Sequence, residues 1–332
     1  MDLVPKRRDL GEFELIAECL APLAQAEPGA LGLLDDAAVL DIPADMRLVV
    51  AADMAVEGVH YNDDDPPQLI ARKLLRYNLS DLAAMGAEPR AYLLTLAKPH
   101  SRSSDWVAGL AEGLAVDQEE FAITLVGGDT TATAGPACLS ITVLGLVKEG
   151  CELRRSGARP GDALFVSGTI GDGALGLLAL RGKLEGLDAA ELAWLVGRYQ
   201  LPEPRLALGR ALAGVASATI DISDGLVADL EHICSASSVG AAIEVQNVPL
   251  SPSGARAISG DEGLRATALT GGDDYELLFS VPPGAVGSLE AIEQSTGISV
   301  SRIGSVQSGS TVEVTGHDGK SLDIEESGFR HF

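Results

Sequence analysis

Residues 78 to 89, NLSDLAAMGAEP, set a lone acid, Asp81, inside an apolar helical pattern just ahead of a Gly-Ala-x-Pro stop. The arrangement recurs at DISDGL, residues 221 to 226, where a short apolar run again ends in Ser-Asp, here Ser223 and Asp224. Each copy is followed by Gly-Gly-Asp, with Asp129 lying 48 residues after Asp81 and Asp273 lying 49 after Asp224. Matched motifs at matched spacing have the look of an internal doubling.

With Asp35-Asp36, Asp53, Asp221 and Asp273-Asp274 these acids form a set that sits mostly at the ends of apolar runs, where a strand or helix delivers a side chain to a domain edge. Any one of them alone reads as a cap or turn residue. As a set, without accompanying Cys or His, they suit a hard cation such as Mg²⁺, which takes carboxylate and phosphate oxygens and keeps waters. Asp63-Asp64-Asp65 have no such apolar delivery and precede Pro66-Pro67, so they read as solvated charge at a helix start.

The elements that must hold these acids can be read from period and punctuation. Residues 11 to 26 carry a helical apolar stripe that Pro22 kinks or ends. AAVLDI (37 to 42) and RLVVAADM (47 to 54) read as two strands joined across Pro43-Ala44-Asp45. A helix over PPQLIARKLLRYNLSDLAAMGA follows, with prolines at its start and glycine near its end. RAYLLTLAK, FAITLVGG and ACLSITVLGLV supply further strands around a helix near 104 to 118. The apolar pattern lapses at CELRRSGARPGD, which places a boundary between an amino-terminal domain, 1 to 150, and a carboxy-terminal domain, 151 to 332. The second half repeats the mixed character, with ALFVSGT, YELLFSV and VSRIGSVQ as strands, helices between 172 and 238, and a turn-rich tail with a hairpin. Two mixed α/β domains are the expected class.

Composition removes several functions. The chain has 332 residues, enough for two ordinary cores, and carries 24 basic against 48 acidic side chains for a formal charge of −24. That charge repels nucleic acid and anionic membranes alike unless cations intervene. Cys19, Cys138, Cys151 and Cys234 lack the spacing of a zinc site or a disulfide framework. The amino terminus interrupts its apolar residues with Asp9, Glu12 and Glu14, unlike a signal peptide, and no apolar run is long enough to span a bilayer, so a cytoplasmic protein is expected.

One motif points elsewhere. Gly171-Asp172-Gly173-Ala174-Leu175-Gly176 fits the dinucleotide fingerprint, but residues 181 to 199 read as helix where a second strand ending in an acid is required. A tight glycine turn opening a helix is the better reading. Walker-type lysine loops and HExxH pairs are absent from the sequence.

The chain resembles the thiamine-monophosphate kinases, of the superfamily that also holds aminoimidazole ribonucleotide synthetase and selenophosphate synthetase. The likeness runs in order through GEFELIA, DDAAVL, VVAADMAVEGVHY, NLSDLAAMGAEP, LVGGDTT, RRSGARPGD, DISDGL, TGGDDYEL and the closing GFRHF. It implies the aminoimidazole ribonucleotide synthetase-like fold, α/β of the α+β type, with a nucleotide and metal site between the domains. It also implies ATP-dependent phosphorylation of thiamine monophosphate to thiamine diphosphate with several Mg²⁺ ions, by a homodimer. By position Asp36, Asp53, Asp81, Asp129, Asp221 and Asp224 resemble metal ligands; Gly128, Asp129, Arg155 and Ser223 resemble ATP-site residues; and His60, Asp273 and Phe329 resemble acceptor-side residues. Neither a general base nor a covalent nucleophile is expected.

Two departures bear on the metal count. The family commonly has Gly-Asp-Asp before the first strand and a pair of hydroxyl residues before the Asp of the second, where this chain has Leu34-Asp35-Asp36 and Ala51-Ala52-Asp53. A sister kinase or synthetase of the superfamily, and a noncatalytic nucleotide or metal sensor, are the competing readings.

Overall fold

A computed structural model describes residues 10–316, 319–322 and 327–329. The chain forms two compact units: residues 1–79 with 88–148, and residues 80–87 with 149–332.

The first unit opens with an irregular helical stretch. α1 (Glu12–Leu15) passes into a π-turn at Ile16–Leu20 and a 3₁₀ turn at Ala21–Ala24. The helical stripe read in the sequence is therefore real but winds in three ways, with Pro22, which lacks an N–H, in the 3₁₀ turn. Residues 37 to 42 are not the strand expected of them. They run as an extended loop whose Ala38 and Leu40 pack on Ala24, Ala30, Ala91 and Val126, so the alternation covers a small core without joining a ladder.

A four-stranded sheet follows, in the order β1 (Met46–Val56), β4 (Cys138–Lys148), β2 (Glu88–Pro99), β3 (Thr124–Thr133). β4 runs antiparallel to both β1 and β2, and β2 is parallel to β3. Helices α2 (Pro67–Ala84) and α3 (Ser104–Phe121) belong with one face. On that face Tyr92, Leu94, Leu139, Ile141 and Val143 are buried, and Tyr92 Oη donates to Gln118 Oε1 of α3 at 2.7 Å. Fully buried Asp117 of α3 accepts from Nε of both Arg72 and Arg76, at 2.8 Å each, which pins α2 to α3. The other face is largely bare: Leu48, Val50 and Met54 of edge strand β1 and Leu93 of β2 are exposed.

In the second unit six strands lie in the order β10 (Val312–Thr315), β7 (Gly240–Glu244), β9 (Val300–Gln307), β5 (Ala163–Ser167), β8 (Leu277–Val281), β6 (Ala218–Asp221). All neighbours are antiparallel except β10 with β7. β5 and β8 are buried along their whole length, so they read as continuous apolar runs in the sequence. Leu226, Leu230 and Ile233 of α7 (Leu226–Ser237) pack into the same core as Leu164, Ile220 and Leu278. α4 (Asp172–Leu180), α5 (Ala189–Gln200) and α8 (Pro252–Gly260) share a satellite cluster around Leu175, Leu195 and Ala257, with the short α6 (Leu206–Ala211) following α5 in the chain. The tail turns back between Thr315 and Ser321, and the last residues of GFRHF, from Arg330 on, lie outside the described residues.

Candidate functional site

In the first unit the acids divide between the two faces of the sheet. A cleft of about 620 Å³ is lined by Asp35, Asp36, Gly127, Gly128, Asp129 and Thr130, together with apolar groups from Ile16, Leu20, Leu33, Leu40, Leu93 and Val126. Asp36 and Asp129 thus both line this cleft, and both are exposed. Gly128 is what lets β3 present Asp129 there. Its φ is +154°, and a Cβ at this position would lie 1.8 Å from the Leu94 carbonyl oxygen. Two residues earlier, at Val126, the register with β2 slips by one, a bulge that re-aims the side chains that follow.

Asp53 pairs across the ladder with buried Ile141, on the helix-covered face, whereas Asp129 pairs with Thr95 of the bare face. The first unit does not bring these two acids together. Asp53 is instead held from α2: its N–H donates to Oδ1 of Asn78 at 3.0 Å, while Asn78 Nδ2 donates to the Leu74 carbonyl at 2.8 Å. His60 lies in the turn after β1, its Nδ1 accepting from the Val56 N–H at 3.0 Å.

In the second unit three segments far apart in sequence are tied into one loop cluster. The Asp273 N–H donates to the Ser223 carbonyl at 3.0 Å, the Tyr275 N–H to the Ile222 carbonyl at 2.8 Å, and the Phe329 N–H to the Asp224 carbonyl at 3.0 Å. Phe329 is 56% exposed, so ordinary core packing does not account for it. Asp273 and Tyr275 adopt left-handed backbone, φ +72° and +52°, a strain of about 1–3 kcal/mol each that the flanking hydrogen bonds hold in place. Ser80, fully buried on α2, donates to Asp221 Oδ2 at 2.8 Å, which places the neighbour of Asp81 against the end of β6. Arg155 is exposed, and its carbonyl accepts from Ser237 Oγ at the far end of α7 from the Ser223-Asp224 loop.

Three buried acids build this cluster: Asp274, which the sequence reading placed in its acid set, and Asp229 and Glu276, which it did not name. Asp229 Oδ2 accepts from the consecutive N–H groups of Ser223, Asp224 and Gly225, at 3.0, 3.1 and 3.1 Å. Burial, with Asp221 adding, pushes the Asp229 carboxyl up to about 7. Asp274 caps α4, its two oxygens accepting from the N–H groups of Gly171 and Gly173. Glu276, fully buried, receives Arg198, Arg205 and Ser167. Ligand atoms of Asp224, Asp229 and His232 lie within 4.8 Å of one another. Asp229 had one signal in the sequence, an acid five residues beyond Asp224 and inside the first helical turn; Asp274 was visible only as the second member of an Asp pair.

The glycine fingerprint at 171 to 176 is explained by the same contacts. A Cβ on Gly173 would lie 2.2 Å from the Asp273 carbonyl oxygen, and one on Gly176 2.2 Å from that of Leu195. The chain's own carboxylate occupies the helix start where a dinucleotide phosphate would sit. The doubled Ser-Asp and Gly-Gly-Asp motifs also differ locally: Ser80-Asp81 is helical and Ser223-Asp224 is loop, while Gly128-Asp129 is strand and Gly271-Gly272-Asp273 is loop.

Family models for the AIR synthase related protein match here twice, the N-terminal domain over residues 34–147 and the C-terminal domain over residues 159–317. The chain belongs to the AIR synthase related family. Within the family it is similar to a thiamine-monophosphate kinase of Caulobacter vibrioides, 42% identical over 325 residues that cover 96% of this chain and 90% of the relative. A crystal structure of thiamine-monophosphate kinase from Stenotrophomonas maltophilia K279a superposes with a TM-score of 0.83 at 39% identity, covering 95% of this chain and 99% of the other. A structure of AaThiL complexed with AMPPCP and TMP matches with a TM-score of 0.77 at 29% identity, covering 92% and 98%.

Proposed function

We infer that this chain is an ATP-dependent thiamine-monophosphate kinase that makes thiamine diphosphate. The near-full-length likeness to thiamine-monophosphate kinases supports this reading, as does the AaThiL structure, whose ligands are an ATP analogue and TMP. The observation that carries it is the loop cluster in which Ser223, Asp224, Asp273 and Phe329 are joined backbone to backbone. A loop bearing candidate carboxylates and an exposed aromatic side chain stand there within one constellation.

The donor set fits a hard divalent cation: Asp36, Asp53, Asp81, Asp129, Asp221 and Asp224 offer carboxylate oxygen alone. Mg²⁺ held by these residues would neutralise phosphate charge in an acidic setting. In this reading Asp36, Gly128 and Asp129 serve the nucleotide in the cleft of the first unit. Ser223 and Arg155 belong to the ATP side, and His60, Asp273 and Phe329 to the acceptor. Ala51 and Ala52 bring no hydroxyl beside Asp53, whose backbone is held by Asn78 Oδ1 accepting from its N–H and by Ser140 Oγ donating to its carbonyl. The acceptor is a phosphate monoester with a second pKa of about 6, already ionised at neutral pH, and a general base is not needed. The protein's work is alignment and charge.

The proposal includes a cytoplasmic homodimer. The exposed apolar face of Leu48, Val50, Met54 and Leu93 supports self-association, and four free cysteines suit a reducing compartment. Among the described residues no helix is long and apolar enough to cross a membrane. Incubation with ATP, Mg²⁺ and thiamine monophosphate, followed by phosphorus NMR, tests the activity: loss of the thiamine monophosphate signal with matching growth of thiamine diphosphate and ADP supports it. Binding of ATP without turnover of thiamine monophosphate would favour a sensor, and turnover of another phosphate acceptor a sister kinase.

A further inference from the structure

Ser80 is an unusual choice for its position. The interior of a long helix favours alanine or leucine even near its last turn, and a helical serine commonly turns its hydroxyl back to the carbonyl four residues earlier. Here the hydroxyl reaches away from the helix and donates to Asp221 Oδ2, 141 residues away in sequence, at 2.8 Å. Both partners are out of water, Ser80 at 0% and Asp221 at 4% exposure. A carboxylate removed from solvent needs donors to hold it. A donor on one oxygen also fixes rotation of the carboxylate plane, and with it the direction of the second oxygen.

We propose that Ser80 is a positioning residue for Asp221, orienting that carboxylate for the divalent cation of the kinase reaction. The inference rests on the kinase reading and adds a residue to it. Groups that hydrogen-bond a metal-ligating carboxylate set its orientation, and their loss lowers metal affinity by about 10- to 100-fold. Ser80→Ala removes one oxygen atom and leaves a good helix former, so the change separates orientation from folding.

The test uses the full chain with the non-hydrolysable analogue AMPPCP and Mn²⁺ as the probe, free Mn²⁺ being counted by electron paramagnetic resonance. Ser80→Ala is expected to weaken Mn²⁺ binding by about 10- to 100-fold, with the melting temperature of the metal-free protein falling by no more than the loss of one buried hydrogen bond explains. Because Ser80 acts through Asp221, Ser80→Ala combined with Asp221→Asn should bind Mn²⁺ no more weakly than Asp221→Asn alone. Binding by Ser80→Ala within twofold of wild type overturns the proposal, and so does a double variant in which the two losses multiply. A lowered melting temperature with unchanged Mn²⁺ affinity overturns it too, marking a purely structural hydrogen bond. Kinase turnover by the wild type with Ser80→Ala unaffected defeats this inference alone; a wild type that binds no Mn²⁺ defeats the metal reading beneath it.

Discussion

Replacing Asp274 by alanine should destabilise the second unit more than any surface substitution would. Its carboxylate oxygens lie 2.6 Å from the Gly171 nitrogen and 2.9 Å from that of Gly173, and both glycines are buried. Alanine leaves two N–H groups at a helix start without an acceptor, at about 1–3 kcal/mol each, which gives a loss of about 4 kcal/mol. For a unit of 150–250 residues that is a fall of about 8–16 °C in Tm. Asp274→Asn keeps one acceptor oxygen and should lose about half as much. Urea unfolding followed by tryptophan fluorescence suits the measurement, because Trp106 lies in the first unit and Trp194 in the second. A Trp106→Phe background leaves Trp194 to report the affected unit. The pH dependence adds a second arm. Burial pushes the Asp274 carboxyl well above the usual carboxylate range, against the pull of its two N–H donors, with Asp172 adding to the rise and Arg198 opposing it. The folded state therefore holds the proton more tightly than the unfolded chain does. That contribution is complete below the unfolded carboxylate pKa and is lost as pH rises through the folded one. The gap between wild type and Asp274→Asn should accordingly narrow with rising pH, over a background slope of the same sign from buried Asp172. An alanine variant within 1 kcal/mol of wild type would refute the capping role, and a gap that widens with pH would show the carboxylate ionised against its amide donors.

Asp81→Asn should abolish phosphoryl transfer with a melt close to wild type; near-normal turnover at saturating Mg²⁺ would remove Asp81 from the proposed ligands. Phe329→Ala should raise KM for thiamine monophosphate and leave that for ATP unchanged, since an exposed aromatic face contacting a cationic thiazolium contributes about 0.5–2 kcal/mol; parallel losses for both substrates would defeat the assignment. Gly128→Ala should unsettle β3 by more than about 2 kcal/mol, because its Cβ would press on the Leu94 carbonyl in a backbone region closed to alanine; urea titration that shows no loss would mean the bulge rearranges. Incubation with γ-labelled ATP and no acceptor should leave the protein unlabelled, and a chemically competent phosphoenzyme would reverse the direct-transfer reading.

Where the period of the sequence reports burial on one face, it reported structure well. α2, α3 and the strands around them follow from the spacing of their apolar residues and from Pro and Gly at their ends. It misled at residues 37 to 42, because alternation records which side chains are covered and not whether the backbone has a ladder partner. There the Val39 N–H donates to the Gly29 carbonyl of a turn. The supporting acids were harder still. Asp229, Asp274 and Glu276 are the same residue types as the proposed ligands and lie within a few positions of them. Only the fold tells which carboxylate faces inward to backbone N–H groups and which faces the loop cluster. Asn78 and Ser80 were hidden for a similar reason: in NLSD the acid is the conspicuous residue, whereas its two polar neighbours bond Asp53 and Asp221.

Those inward carboxylates bear on how phosphate is handled. Consecutive backbone N–H groups at a glycine-rich helix start make an anion site in many nucleotide-binding proteins. The second unit has two such places, the Ser223-Asp224-Gly225 turn and the Gly171–Gly173 turn, and the chain fills both with its own acids, Asp229 and Asp274. Donors committed to a buried carboxyl group cannot also cradle a phosphate. A chain with a formal charge of −24 that closes its own backbone anion sites must recruit its phosphates by other means. On the kinase reading the outward-facing carboxylates meet that need through bound cations, and the inward-facing ones meet the opposite need, rigid loops that keep the ligands where two polyanions can be aligned. The two roles call for the same residue type in opposite orientations, which is why neighbours such as Asp273 and Asp274 are not interchangeable.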